Sequence, residues 1–340
     1  MTGGEGALRP PSRLGLVIGA GAALGGAWSL GVLGALAETE AFDPTAADVV
    51  VGTSAGSLLA ALISHRVAPQ VMVETLTGGP SGFLRSEGVA RAHRPNDVHR
   101  VLADIPRAVP IPGNLRLAAR NLTRPEGRSV WAAAAALAPR GRGDLAPVGD
   151  LIHRFCGDRG WPGRPRTWLV AMDYDSGRRV VFGAPGEPAA SMADAVMASC
   201  SVPGYFPPRH IGSRRYIDGG AVSVTNADLL ASERVDEVVV LAPMAMLDPS
   251  SRRPAAGRLD RSLRRYVTQR LRAEVAQLHA MGMSVRVFAP TREDLDAMGP
   301  NSFDASRRRR VFETALRTTT SRLVDGEPAV SHPDDAAGVA

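Results

Sequence analysis

Residues 49–63 constrain this chain more than any other stretch: Val49-Val50-Val51-Gly52-Thr53-Ser54-Ala55-Gly56-Ser57-Leu58-Leu59-Ala60-Ala61-Leu62-Ile63. Three valines after Asp48 read as a buried strand. The leucine and alanine run from Leu58 to Ile63 reads as helix, which both residue types favour. Between them lies G-x-S-x-G with Ser54 at its centre. A serine on such a strand-to-helix turn sits on a strained elbow, presented at the end of a sheet. Glycine at 52 and 56 lets strand and helix pass close together. The helix N-terminus beside Ser54 offers unpaired N–H groups and a positive dipole end, which suit an oxyanion. The competing reading is a Gly-Ser turn of any parallel α/β protein, and the surrounding chain has to decide between the two.

A second unit of the same kind precedes it. Leu14–Ile18 is a short apolar run ending in glycine. Gly19-Ala20-Gly21-Ala22-Ala23-Leu24-Gly25-Gly26 follows, then a helix over Ala27–Ala37. Successive N–H groups of such a loop form an anion nest. A dinucleotide fingerprint fits poorly, because Leu24 stands where the third glycine belongs, although Glu38 and Glu40 lie near the acidic position. Two strand–loop–helix units in 65 residues imply a parallel sheet with helices on its faces. Both loops then emerge at the carboxyl ends of strands, where such sheets bind ligands.

The rest of the chain falls into segments. Residues 1–13 read as a disordered N-terminus and 326–340 as a flexible tail, with one α/β domain over 14–325. Residues 66–150 read as a helical insertion or cap, broken by Pro106–Pro112, with short helices at Leu115–Leu122 and Ser129–Leu137 and frequent arginines. Core structure resumes at Trp168–Asp173 and turns through Asp175-Ser176-Gly177 into Arg179–Gly183. Ser191–Ser199 is a helix. Arg215–Asp218 ends a strand before Gly219-Gly220. Val235–Ala242 is an apolar strand. Arg258–Met281 is an amphipathic helix with Leu259, Leu263, Tyr266, Val267, Val275 and Leu278 inward. Val285–Phe288 is the last strand and Arg307–Leu323 the closing helix.

Charge and cysteine content narrow the function classes. The net charge of +6 favours approach to anionic surfaces, but no nucleic-acid motif accompanies it, so no nucleic-acid partner is expected. All 40 basic residues are arginine, which reflects genome composition as much as function. The run Arg307–Arg310 reads as a solvated helix face, with peripheral contact to an anionic membrane as the minority reading. Cys156 and Cys200 do not make a disulfide framework. With no apolar leader after Met1 and no membrane-spanning stretch, the expected location is cytoplasmic. None of the seven histidines sits in a motif or has metal-ligand spacing.

Three segments together resemble the patatin-like phospholipase family. They are the glycine loop at 19–26 before a helix containing Ala27-Trp28, Gly52-Thr53-Ser54-Ala55-Gly56, and Asp218-Gly219-Gly220. A fourth, Ala198–Pro208, looks like the family's small-residue and proline-rich loop. The resemblance covers about 14–66 and 165–245. It implies a three-layer αβα fold with a central, mostly parallel sheet. It also implies a Ser–Asp dyad, with Ser54 as nucleophile and Asp218 as its base. Neither metal nor cofactor is required. The oxyanion donors are then backbone N–H groups of Gly21, Ala22 and Ala23. Gly19, Gly25, Gly26, Gly52, Gly56, Gly219 and Gly220 support the motifs. The loop departs from the family's consecutive glycines and following basic residue, since alanines occupy 20, 22 and 23, and alanine at a positive φ costs energy.

The function that follows is hydrolysis of a lipid carboxylic ester through a serine acyl-enzyme. Two alternatives stand beside it. One is a catalytically impaired lipid-binding or scaffold protein on the same fold. The other is a nucleotide-binding oxidoreductase using the 19–26 loop, which leaves Ser54 and Asp218 unexplained. A histidine triad is disfavoured, because His279 lies late in a long helix and His332 in the tail.

Overall fold

The two strand–loop–helix units form as the apolar pattern predicts. The structure, a computed structural model, describes residues 12–77, 137–139, 141–157, 160–247 and 258–326. In chain order the elements are β1 (Leu14–Ile18), α1 (Ala22–Glu40), β2 (Val49–Thr53), α2 (Ala55–Ser64), α3 (Pro69–Thr77) and α4 (Ala146–Cys156). Then come β3 (Arg166–Asp173), β4 (Arg179–Phe182), α5 (Met192–Ser199), β5 (Arg209–Ile211), β6 (Arg214–Asp218) and β7 (Glu237–Leu241). The last are α6 (Arg258–Ala280), β8 (Ser284–Phe288), α7 (Arg292–Met298) and α8 (Arg308–Val324).

The sheet runs β5-β6-β3-β2-β1-β7-β8, with β4 also paired to β3. Strands β3, β2, β1, β7 and β8 are mutually parallel. The β3–β4, β3–β6 and β5–β6 pairs are antiparallel. From central β1 the chain builds outward through β2 to β3, then returns to place β7 on the other side of β1. This reversal is a topological switch point, and it opens at the carboxyl ends of the parallel strands.

Side chains that alternate along each strand divide between two helical layers. Leu16 and Ile18 of β1 face the cluster that includes Trp28, Leu36, Leu59, Leu62 and Val311, from α1, α2 and α8. Val17 faces the opposite cluster, with Val267, Leu271, Val275 and Leu278 of α6. The architecture is therefore three layers around a mixed, mostly parallel sheet, as expected. Helix α1 is apolar on nearly every side because it is sandwiched between the sheet and α8. At Gly31 the contact is so close that a Cβ would stand 2.6 Å from the Phe312 carbonyl oxygen.

One boundary differs from expectation in a way that matters for the site. The first loop is only Gly19–Gly21, and α1 starts at Ala22 instead of Ala27. Gly25 and Gly26 are helical, packed against Pro243 and Ala55 respectively. The Gly25 N–H already donates to Gly21 O at 2.8 Å, and Leu24 N–H donates to Ser302 O at 3.1 Å. Tertiary packing thus starts the helix where glycine content alone reads as loop.

Helix α7 and strand β5 have no counterpart in the sequence reading. α7 is begun by a capping box in which Thr291 and Asp294 satisfy each other's backbone N–H groups. The ends of segment 66–150 supply α3 and the start of α4, whose Met72, Leu76, Val148, Leu151 and Ile152 join the main core. Leu115–Leu122, Ser129–Ala136, residues 1–11, residues 327–340 and the side chain of Leu259 lie outside the described residues.

Candidate active site

Ser54 stands between the end of β2 and the start of α2 with φ 56° and ψ −123°, a conformation that a non-glycine residue holds only under strain. Its neighbours hold it there. The Ser54 N–H donates to Ser199 Oγ at 2.9 Å, and Ser199 Oγ–H donates to Val170 O at 2.6 Å. Ser57 Oγ–H donates to Ser54 O at 2.6 Å. The elbow also needs glycine at 56, where a Cβ would sit 2.0 Å from the Ile18 carbonyl oxygen. At Gly52 the same atom would be 2.6 Å from Ser57 Cα.

Asp218 ends β6, opposite Ala171 of β3, and its N–H donates to Ser201 O at 3.1 Å. The fold therefore brings the side chains of two residues 164 positions apart (218 − 54) next to each other. Asp218 Oδ1 accepts the Gly220 N–H at 2.7 Å, while buried Oδ2 has no hydrogen-bond partner among the described residues. Burial pushes the Asp218 pKa up to about 6, against the opposing pull of the Ser54 hydroxyl and the Gly220 N–H. Ser54 and Asp218 are thus close enough to interact, while the second carboxylate oxygen stays open. Reacting groups commonly sit loosely in a structure without substrate and tighten when it binds. Burial, reinforced by the Asp218 charge, pushes the neighbouring Cys200 thiol up to about 12, so it stays protonated.

The backbone donors separate cleanly along the first loop. The Gly19 and Ala20 N–H groups are consumed by Leu241 O at 2.9 Å and Val224 O at 2.8 Å. Those of Gly21, Ala22 and Ala23 have no acceptor among the described residues. Ala22 carries φ 52°, the left-handed conformation that costs alanine energy. The start of α2 contributes the equally unpaired N–H groups of Ala55 and Gly56. Two helix N-termini therefore meet at Ser54, and their dipoles add to the free donors.

Segment 219–227 braces this arrangement. Gly219 packs on the Val170 backbone, the Gly220 N–H donates to Asp218 Oδ1, and Asn226 Nδ2–H donates to Thr53 Oγ1 at 3.1 Å. Beneath it lies Glu274 of α6, which was not singled out from sequence. It accepts from Ser223 Oγ at 2.5 Å, Thr225 Oγ1 at 2.6 Å and the Ala227 N–H at 3.0 Å. Ser199 was also missed as an individual residue, although the Ala198–Pro208 segment that contains it was picked out.

Ser54 opens into a narrow cleft of about 70 Å³, lined by Ala22, Ala23, Leu58, Phe206 and Arg308 among others. Arg308 corrects the solvated reading of the Arg307–Arg310 run. Arg309 and Arg310 are exposed, but Arg308 is 2 % exposed and turns into the cleft. No histidine among the described residues lines the cleft. His279 bonds locally to Met283 O through Nδ1, and His332 lies outside the described residues. Asp173 accepts the N–H groups of Asp175 and Ser176 and so closes the β3–β4 hairpin. Among the described residues no group of three or more His, Cys, Asp or Glu is placed to hold a metal, and no helix is long and apolar enough to cross a membrane.

Comparison with known proteins points to the same two parts of the chain. The family model described as patatin-like phospholipase matches residues 16–79 and 159–231, the segments that carry Ser54 and Asp218. No curated protein matches. Among solved structures, VipD from Legionella pneumophila is similar at 14% identity and a TM-score of 0.39, covering 93% of this chain and 67% of its own. The type III effector protein ExoU is similar at 17% identity and a TM-score of 0.36, covering 93% of this chain and 53% of its own. The chain thus spans about two thirds of the first and about half of the second.

Proposed function

We propose that this chain, which the patatin-like phospholipase family model matches over residues 16–79 and 159–231, hydrolyses lipid carboxylic esters through a Ser54–Asp218 dyad. The observation that carries the proposal is the open Oδ2 of Asp218, buried beside the Ser54 hydroxyl on a carboxylate whose pKa is raised to about 6. An ordinary aspartate is too weak a base for a serine hydroxyl, and burial makes this one stronger.

In the proposed reaction Ser54 Oγ attacks the ester carbonyl and Asp218 takes the hydroxyl proton. Charge develops on the carbonyl oxygen, which accepts from the free N–H groups of Gly21, Ala22 and Ala23. Collapse of the tetrahedral intermediate expels the alcohol, which leaves with the proton from Asp218. A water then attacks the acyl-enzyme while Asp218 takes its proton, and as this second tetrahedral intermediate collapses Asp218 returns the proton to Ser54 Oγ, releasing the fatty acid and restoring the free dyad. The strain at Ser54 and Ala22 supports this reading, because strained residues concentrate where a site is held ready.

The unpaired donors at Ala22 and Ala23 also favour an active enzyme over an impaired scaffold. The alanine-rich loop keeps its N–H groups, and α1 starts early enough to aim them. The test is turnover of a short-chain chromogenic ester. Ser54→Ala is expected to remove it while the fold, read by circular dichroism, is retained. Undiminished turnover by the folded variant rejects the proposal.

A further inference from the structure

The hydrolytic chemistry above leaves one buried charged group unused. Arg308 opens α8, and its side chain lines the same cleft as Ser54. At 2 % exposure it cannot reach water in the way surface arginines do. Its single hydrogen bond among the described residues is from Nη1 to Leu76 O, long at 3.4 Å. Nε and Nη2 are buried without a partner among the described residues. Burial alone lowers its pKa, to about 10, and no carboxylate among the described residues offsets the charge. The guanidinium still stays protonated at neutral pH.

A buried, uncompensated cation is costly, and proteins seldom keep one without a counter-charge. Apart from Ser54 and Cys200, the other described cleft residues, among them Ala27, Leu59, Val148, Val202 and Phe303, are apolar, and none offers an anion. No described residue supplies the counter-charge, which leaves the guanidinium free to take one from what binds. Nε and Nη2 are adjacent on one edge of the guanidinium, and this edge takes two oxygens of a phosphate or carboxylate side by side. We propose that Arg308 is the anion-recognition residue of the cleft, and that the substrate is an amphiphilic ester carrying a phosphate or carboxylate oxyanion. The assignment to a substrate rests on the hydrolase reading, whereas the anion site itself does not.

The decisive experiment separates the two. Ser54→Ala protein and the Ser54→Ala/Arg308→Leu double variant are titrated by calorimetry with hexyl phosphate, hexanoate and hexanol. Leucine fills the space without leaving a buried charge, so the double variant is expected to fold. At least one anion should bind tenfold or more tightly when Arg308 is present, while hexanol shows no such difference. The anion that responds identifies phosphate or carboxylate as the source. Less than a twofold difference for both anions overturns the proposal.

Wild type and Arg308→Leu are then compared on a neutral p-nitrophenyl ester, a p-nitrophenyl hemisuccinate and a short-chain diacyl phosphatidylcholine. The ratio of kcat/KM for the matching anionic ester over the neutral ester should fall at least tenfold in the variant, and partly recover in Arg308→Lys. Arg310→Leu, on the exposed side of α8, should keep the wild-type ratio. Neutral-ester turnover without anion binding leaves the hydrolase standing and removes this inference. Anion binding without any ester turnover does the reverse.

Discussion

Asp218 and Glu274 are both buried carboxylates that hold segment 218–227, yet their surroundings differ in kind. Glu274 accepts from two hydroxyls and a backbone N–H, with Arg270 Nε alongside at 3.2 Å. Burial raises its pKa, and the Ser223 and Thr225 hydroxyls pull it back. Asp218 accepts from one backbone N–H, has the Ser54 hydroxyl beside it, and keeps Oδ2 without a partner among the described residues. A saturated buried acid positions the chain around it. One left half satisfied can take up a proton. Burial by itself does not mark a catalytic group, and the unfilled acceptor separates these two.

The sharpest way to break this contrast is exchange at each acid. Asp218→Asn should cut ester turnover by about 10² to 10⁴, the range for losing a general base. Glu274→Gln should act mainly on stability, lowering it by about 1–3 kcal/mol in denaturant titrations through lost acceptors, with a much smaller loss of turnover. Equal loss of turnover in both variants would erase the distinction.

Stability against pH sharpens it next. The native pKa of Asp218 lies above the ordinary value near 3.9, so the folded protein binds this proton more tightly than the unfolded chain. That contribution is fully present below about pH 4 and is lost as pH rises to about 6. At pH 7 the buried carboxylate should cost on the order of 3 kcal/mol. Asp218→Asn should therefore match wild type near pH 4 and exceed it by up to roughly 3 kcal/mol at pH 7. A stability difference that does not change between these pH values would contradict the raised pKa. The kinetic counterpart is a kcat/KM that climbs to a plateau with an apparent pKa near 6.

The smallest effect concerns the donors. Ala22→Gly relieves a positive φ and should raise stability by up to about 1 kcal/mol, seen as a higher Tm. A clear fall in Tm would show that alanine is not strained there.

Much of this organisation was legible in the chain. Val49–Val51 and Leu14–Ile18 are apolar runs bounded by glycine, and they form β2 and β1 close to the expected limits. Ser191 caps α5 through the Asp194 N–H, as its position before an acidic first turn suggests. What was not legible depends on packing between distant elements. No local signal announces a helix whose first residue has φ 52°, because Ser302 and Pro243 help to hold that turn. In Arg307–Arg310 four identical residues point in four directions, and only the seat of α8 against α1 decides that the second turns inward. Glu274 lies on the buried face of an arginine-rich helix, where an acid reads as a partner for nearby charges.

The central claim is that Ser54 is the nucleophile, and covalent labelling tests it most directly. Wild-type protein treated with a fluorophosphonate and mapped by peptide mass spectrometry should carry one adduct, on Ser54. Asp218→Asn should acquire it far more slowly, and Ser54→Ala should not acquire it at all. An adduct on another residue, or none on a protein that turns over esters, would contradict the account.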